Sequence, residues 1–294
     1  MSLTVFANFR IDSMERLQRM KDSFQSFHHA KIDQWVVNIR GEYQDSALYY
    51  LNEKLGSKLN SSKLESEQGW FFDSQILFKK IQTDYIFAWV EDHICMCGHE
   101  NFNKIVNNMS ARGVEYLGYS WFGGGLSIDE FKDIKKNEID NLYCITYDKF
   151  ANRKRQKNAL KLINHKAYII SLNGFFHKNL FSRILHSKRP YLRRWPKITP
   201  FDFEKSWNDT WILPIVIGVP KFEMFAPIDD DNQYPDSSLF SRGLYPIRIS
   251  RDTLQKSENA NQDTNKFPRL KFIIRKIVFF SWFKHLLKRI TYHL

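Results

Sequence analysis

The residues whose types and spacing could do chemistry together centre on Glu91-Asp92-His93. Two carboxyls and an imidazole follow directly on residues 85–90 (YIFAWV), an apolar run of the kind that forms a strand buried on both faces. Asp92 could give a hard oxygen ligand to Mg²⁺ or Mn²⁺, and the cation would in turn neutralise a diphosphate. Glu91 and His93 could assist, although neighbours on an extended strand point to opposite faces. The plainer reading is an acid in a turn at a strand end. Cys95-Met96-Cys97, with His93 and His99 beside it, has the composition of a zinc cluster. Its Cys-X-Cys spacing is tighter than the usual ligand pair, and no second pair follows nearby. Gly123-Gly124-Gly125 lacks the Lys-Ser/Thr that completes a P-loop and reads as a flexible turn.

The elements that must position these groups alternate between strand and helix. Residues 3–9 read as a strand. Asp12 with Glu15 three residues on has capping-box spacing. Met14, Leu17, Met20, Phe24 and Phe27 then recur at helical intervals. Residues 34–39 (QWVVNI) form a second strand; Ala47, Leu48, Leu51 and Leu55 mark a second helix. Trp70, Leu77 and Ile81 mark a third helix, ending at Asp84. Runs at 114–119, 142–147 and 167–171 read as further strands, and Thr199-Pro200-Phe201-Asp202 as a helix start with threonine cap and proline at the first position. Such alternation predicts an α/β fold with a mostly parallel sheet. Ligands of open α/β sheets bind beyond the carboxyl ends of the strands, where residues 91–93 lie.

In the order of its elements the chain resembles the nucleotide-sugar-dependent glycosyltransferases with one Rossmann-like domain, the GT-A fold. The resemblance is carried by Asn8-Phe9-Arg10 leaving the first strand, by the Trp70-Phe71-Phe72-Asp73 helix, and by Thr83-Asp84-Tyr85-Ile86 leading into Trp89-Val90-Glu91-Asp92-His93. It continues in residues 170–176 (ISLNGFF) and 199–204 (TPFDFE), which are similar to the acceptor half of bacterial surface-polysaccharide transferases. In that family the acid pair after the central strand is the DXD element, which binds metal and sugar-nucleotide diphosphate; here the pattern is Glu-Asp-His. The resemblance implies a nucleotide-sugar donor, a glycan or lipid-linked acceptor and Mg²⁺ or Mn²⁺, held by Asp92 and His93 with Glu91 beside the donor. It places Asn8, Arg10, Asn38, Arg40 and Asp73 toward the nucleotide, the arginines to phosphate or base oxygens and Asn38 to the base edge. Each could instead be an ordinary surface or structural side chain. An inverting transferase also needs a carboxylate base, for which Asp202, Glu204 and Asp230 are candidates. Acids in a first helical turn also simply complement the helix dipole, and Asp229-Asp230-Asp231 also suits a solvated turn.

The chain has 294 residues, 43% apolar and 16% aromatic, so it can bury a full core and is not disordered. Three cysteines are too few for a disulfide framework and point to a reducing compartment. The net charge is +12, and eight basic residues without an acid fall within 266–294, leaving +4 on the rest. That segment also carries Phe279, Phe280, Trp282 and Phe283, so its basic groups suit anionic headgroups and its aromatic groups the acyl boundary. The expected organisation is a transferase domain at 1–256, a polar hinge at 257–265 and a basic-aromatic helical tail at 266–294, on the inner face of a bacterial plasma membrane. The tail's alternative is a helix docked on the core. Competing functions are a nucleic-acid binder or Mg²⁺-dependent nuclease and a non-catalytic adaptor of the same fold. The surplus charge sits in a segment too apolar to track phosphates, so no nucleic-acid partner is expected.

Overall fold

The computed structural model describes residues 2–118, 136–139, 141–146, 174–186, 200, 216–228 and 238–245. All of them fall in the unit Met1–Pro246. The expected strand at 167–171, the glycine run at 123–125, and the hinge and tail lie outside the described residues. So does the expected helix start at 199–202, apart from helical Pro200.

The fold is mixed α/β, as the alternation predicts. The chain opens β1 (Leu3–Arg10), α1 (Met14–Phe27), β2 (Gln34–Arg40), α2 (Gln44–Leu55), one 3-10 turn, β3 (Leu59–Ser62), α3 (Trp70–Phe78) and β4 (Tyr85–Ala88). It continues with β5 (His93–Cys95), α4 (Gly98–Arg112), β6 (Tyr116–Leu117), β7 (Lys136–Ile139), β8 (Leu142–Thr146), β9 (Gly174–His177), α5 (Lys178–Leu185), β10 (Val216–Pro220) and β11 (Phe225–Pro227). Among the described residues, nine strands form one sheet in the order β3-β2-β1-β4-β9-β6-β10-β8-β7. All but β8 and β9 run the same way, so the sheet is mostly parallel.

The apolar pattern explains the layers. β1 and β4 are buried on both faces because helices cover the sheet on both sides. One face packs Leu17, Met20, Phe24 and Phe27 of α1 against Trp35, Phe87, Trp89, Phe102 and Phe225. The other packs Leu77 of α3 and Leu180, Phe181 and Ile184 of α5 against Phe6, Val36 and Ile86. β1 lies between β2 and β4, so the chain first winds outward to β3 and then returns to the other side of β1. That reversal is the topological switch point at which open α/β sheets bind ligands. β5 and β11 pair antiparallel as a separate two-stranded sheet against α1.

Two local readings are corrected. The N-cap of α1 is Ser13, whose Oγ accepts from Arg16 N at 3.2 Å; Asp12 instead accepts from Arg10 Nε at 2.9 Å. α3 ends at Phe78 rather than running to Asp84, because Lys80 and Ile81 turn back onto the carbonyls of Leu77 and Phe78.

Candidate functional site

β4 stops pairing with β1 once Trp89 N has bonded Phe6 O, and Glu91 and Asp92 follow in a turn past the carboxyl end of the strand. Glu91 is buried on the α1 side, with its Oε1 3.2 Å from an Arg16 guanidinium nitrogen. Burial, then the neighbouring Asp92 charge, pushes the Glu91 carboxyl up to about 7. Asp92 is about one third exposed, and its Oδ1 accepts from His93 Nδ1 at 2.8 Å. Burial works against ionisation of Asp92, but the His93 charge and hydrogen bond, with Arg16, outweigh it and lower the carboxyl to about 2. The two acids therefore diverge: burial and the Asp92 charge favour the protonated form of Glu91, while His93 and Arg16 favour the ionised form of Asp92.

Arg16 ties this pair to the end of β1, because its second terminal nitrogen donates to Arg10 O at 3.1 Å. No motif singled it out in the sequence. The available signal was a cation in the first turn of a helix, where the dipole disfavours one.

The residues expected toward a nucleotide gather at the ends of β1 and β2 and the start of α3. Arg10 is half-exposed and pairs with Asp12 and Glu65. Arg40 buries its Nε with no hydrogen-bond partner among the described residues. Desolvation lowers its pKa, opposed by Asp73 and Glu65. Asp73 is buried and accepts from Ser66 N at 3.3 Å through both oxygens.

Beneath these charges Asn8 and Asn38 are held inside the protein. Asn38 donates to Asn8 Oδ1 at 3.0 Å and to Leu64 O at 2.9 Å, and accepts from Leu64 N at 2.6 Å. Asn8 donates to Ser74 Oγ at 2.9 Å, and its carbonyl accepts from Trp70 Nε1 at 2.7 Å. With no exposed surface, Asn38 shapes the loop from Lys63 to Gly69 from below rather than reaching outward to a base edge. The expected site residues thus form two groups at one end of the sheet: Arg10, Arg40 and Asp73 above the asparagines, and Glu91, Asp92 and His93 against α1. Arg16 touches both.

Asp202, Glu204 and Asp230 lie outside the described residues. The flanks of the segment carrying Asp230 are described. Ile228 N donates to Asp92 O at 2.7 Å, and Leu239 N and Phe240 N donate back to Pro227 O and Ile228 O at 2.8 and 3.0 Å. Among the described residues, Ile228 is thus joined to Asp92, and Leu239 and Phe240 to Pro227 and Ile228.

Among the described residues no group of three or more His, Cys, Asp and Glu side chains could hold a metal alone. The donor set fits a cation that takes most of its ligands from substrate phosphates and water, as Mg²⁺ does, with the second carboxylate oxygen of Asp92 as the protein ligand. The thiols of Cys95 and Cys97 lie 3.7 Å apart, both reduced.

No protein-family model matches the chain, and no curated protein matches it. Among solved structures, the crystal structure of S. aureus TarS is similar at 12% identity and a TM-score of 0.46, over 76% of this chain and 36% of that one. S. aureus TarS 1–349 in complex with UDP-GlcNAc is similar at 12% identity and a TM-score of 0.47, over 80% of this chain and 60% of that one. The same TarS fragment with UDP gives 12% and 0.47, over 76% and 60%. This chain spans 36% of the longer TarS chain and 60% of the shorter ones.

Proposed function

We propose that the protein is a glycosyltransferase of the GT-A type, moving a sugar from a nucleotide-sugar donor to a glycan or lipid-linked acceptor in bacterial surface-polysaccharide assembly. One observation carries the reading: a partly exposed Asp92 stands past the end of β4, at the side of β1 where the strand order reverses. Transfer from such a donor builds negative charge on the leaving diphosphate, and the site must meet that charge as it grows. Arg16 supplies a cation at the start of α1, where the first-turn N–H groups add to it. Partial protonation of Glu91 lowers its competition for the Arg16 charge. A divalent cation, when bound at Asp92, would supply Lewis-acid stabilisation of the diphosphate. His93 fixes the Asp92 carboxylate by its 2.8 Å bond and leaves the other oxygen for the ligand. Arg10 and Arg40 are the cations on the nucleotide side. Asp230, two residues along the chain from Ile228, and Asp202 and Glu204 are proposed as sources of the acceptor base.

The test is thermal shift with UDP-, GDP-, CMP- and dTDP-linked compounds, with and without Mn²⁺. One nucleotide class should raise the melting temperature, since ligand at about 100 times Kd adds about 2.7 kcal/mol. Asp92→Asn should lose the Mn²⁺-dependent part of the shift and lose sugar transfer while keeping the nucleotide-dependent part of the shift. Silence across the panel, beside tight oligonucleotide binding, would replace the proposal with the nucleic-acid reading.

A further inference from the structure

We propose that Cys95 and Cys97 form a reversible dithiol–disulfide site, closed by a two-electron oxidant of the peroxide or small-disulfide class. The sulfurs stand 3.7 Å apart, against the roughly 2.05 Å of a disulfide, so side-chain rotation with a small backbone adjustment joins them. The two residues have unequal freedom. Cys95 ends β5, where it pairs with Phe225 and its N–H donates to Ser26 Oγ at 2.8 Å. Cys97 follows in the bend before α4, where its thiol packs against the core and makes a long 3.6 Å contact with Gly98 O. Gly98 has φ +71 with open space where a Cβ would stand, so the backbone next to Cys97 can adjust without a side-chain clash. Between them Met96 is 38% exposed, and Gly98 and His99 are exposed, so a small oxidant has a path to the pair.

The third thiol, Cys144, is buried in the core far along the chain and serves as an internal control. A metal chelate is the poorer use of the pair, because no third ligand converges on it among the described residues. With hydrogen peroxide the two S–H bonds give one S–S bond. Two electrons and two protons pass to the peroxide, whose O–O bond breaks to leave two waters. With oxidised glutathione one thiolate attacks, and the second displaces glutathione from the mixed disulfide, so both glutathione sulfurs leave as thiols. The pair lies two residues along β5 from His93, so its redox state is a variable to hold fixed when the acid site is assayed.

The experiment uses the full chain, treated with hydrogen peroxide, denatured, alkylated with iodoacetamide and mapped by peptide mass. The peptide carrying residues 95–97 should lose two hydrogens and take no alkyl group, while Cys144 alkylates normally; dithiothreitol should restore both alkyl groups. With oxidised glutathione, Cys97→Ser should keep glutathione on Cys95, whereas the wild type resolves the adduct to the internal disulfide. Sulfenic or sulfinic acid on unlinked cysteines, glutathione retained equally by wild type and variant, or two thiols still open to alkylation would each overturn the proposal. None of these outcomes depends on sugar transfer, so the glycosyltransferase reading stands or falls separately.

Discussion

Glu91, Asp92 and His93 show how burial and one hydrogen bond set the character of an acid site. Glu91 is raised from 4.5 to about 7, first by burial and then by Asp92. The folded chain therefore holds this proton more tightly than the unfolded chain. The stability it contributes is complete below the unfolded value and falls as pH rises through about 7. Asp92, lowered from 3.8 to about 2, works the other way: its contribution is present above the unfolded value and is lost as pH falls through about 2. Between 4.5 and about 7 the slope within this pair belongs to Glu91. Glu91→Gln keeps an oxygen for Arg16 and removes the ionisation. Its melting temperature should match wild type near pH 4 and exceed it near pH 8, by about 2–4 °C for each kcal/mol gained. Melting curves across that range check it; an offset independent of pH would mean that Glu91 does not titrate there. The loss of the half-exposed Arg16 partner charge is a small opposing effect. The position of the carboxylate pair past a buried strand was legible, because a run of apolar residues followed by acids is a pattern in single residues. The division of labour between the acids was not, because it depends on how deeply Glu91 is buried and on the His93 bond to Asp92, neither of which residue type reveals.

Among the elements, β1, β2 and β4 were readable because burial on both faces makes their short runs mostly apolar, broken in β1 only by Thr4 and Asn8 and in β2 by Asn38 before the strand ends. β3 (LNSS) and β5 (HIC) were not, since their extended form comes from their partners rather than from their own side chains. The expected second strand matched β2 to one residue, while the expected cap of α1 fell one residue early, on an acid that instead serves Arg10. Two element-scale predictions follow from packing. Gly174 opens β9, the antiparallel strand between β4 and β6, with φ +125, and a Cβ there would stand 2.4 Å from Leu117 O. Gly174→Ala should cost about 1–3 kcal/mol from the backbone conformation alone, read as a lower urea midpoint with unchanged slope. Asn38→Ala orphans Asn8 Oδ1 and both backbone groups of Leu64 in the interior. At about 1–3 kcal/mol for a buried group left unpaired, it should destabilise more than Arg10→Ala, whose partners are exposed. Equal urea midpoints for the two variants would mean that the asparagine network does not hold the loop.

At the scale of the whole molecule the charge is divided unevenly, and that division predicts where a membrane would be felt. No helix among the described residues is long and apolar enough to cross a bilayer. Eight basic residues without an acid lie within 266–294, among Phe279, Phe280, Trp282 and Phe283. Each basic group near an anionic surface contributes about 1 kcal/mol, falling off within a Debye length. The apolar groups add a term that salt does not screen. Removing residues 266–294 should therefore release the protein from phosphatidylserine-containing vesicles in a sedimentation assay, while the donor-induced thermal shift survives. Replacing the four aromatic residues with alanine should separate the two contributions: binding should persist at low salt and vanish near physiological ionic strength, where the wild type stays bound. Retention of the truncated chain on vesicles would move the attachment to residues 1–265. Loss of the donor shift on truncation would instead make the segment part of the folded domain, since an anchor acting only through headgroups has no reason to alter nucleotide affinity.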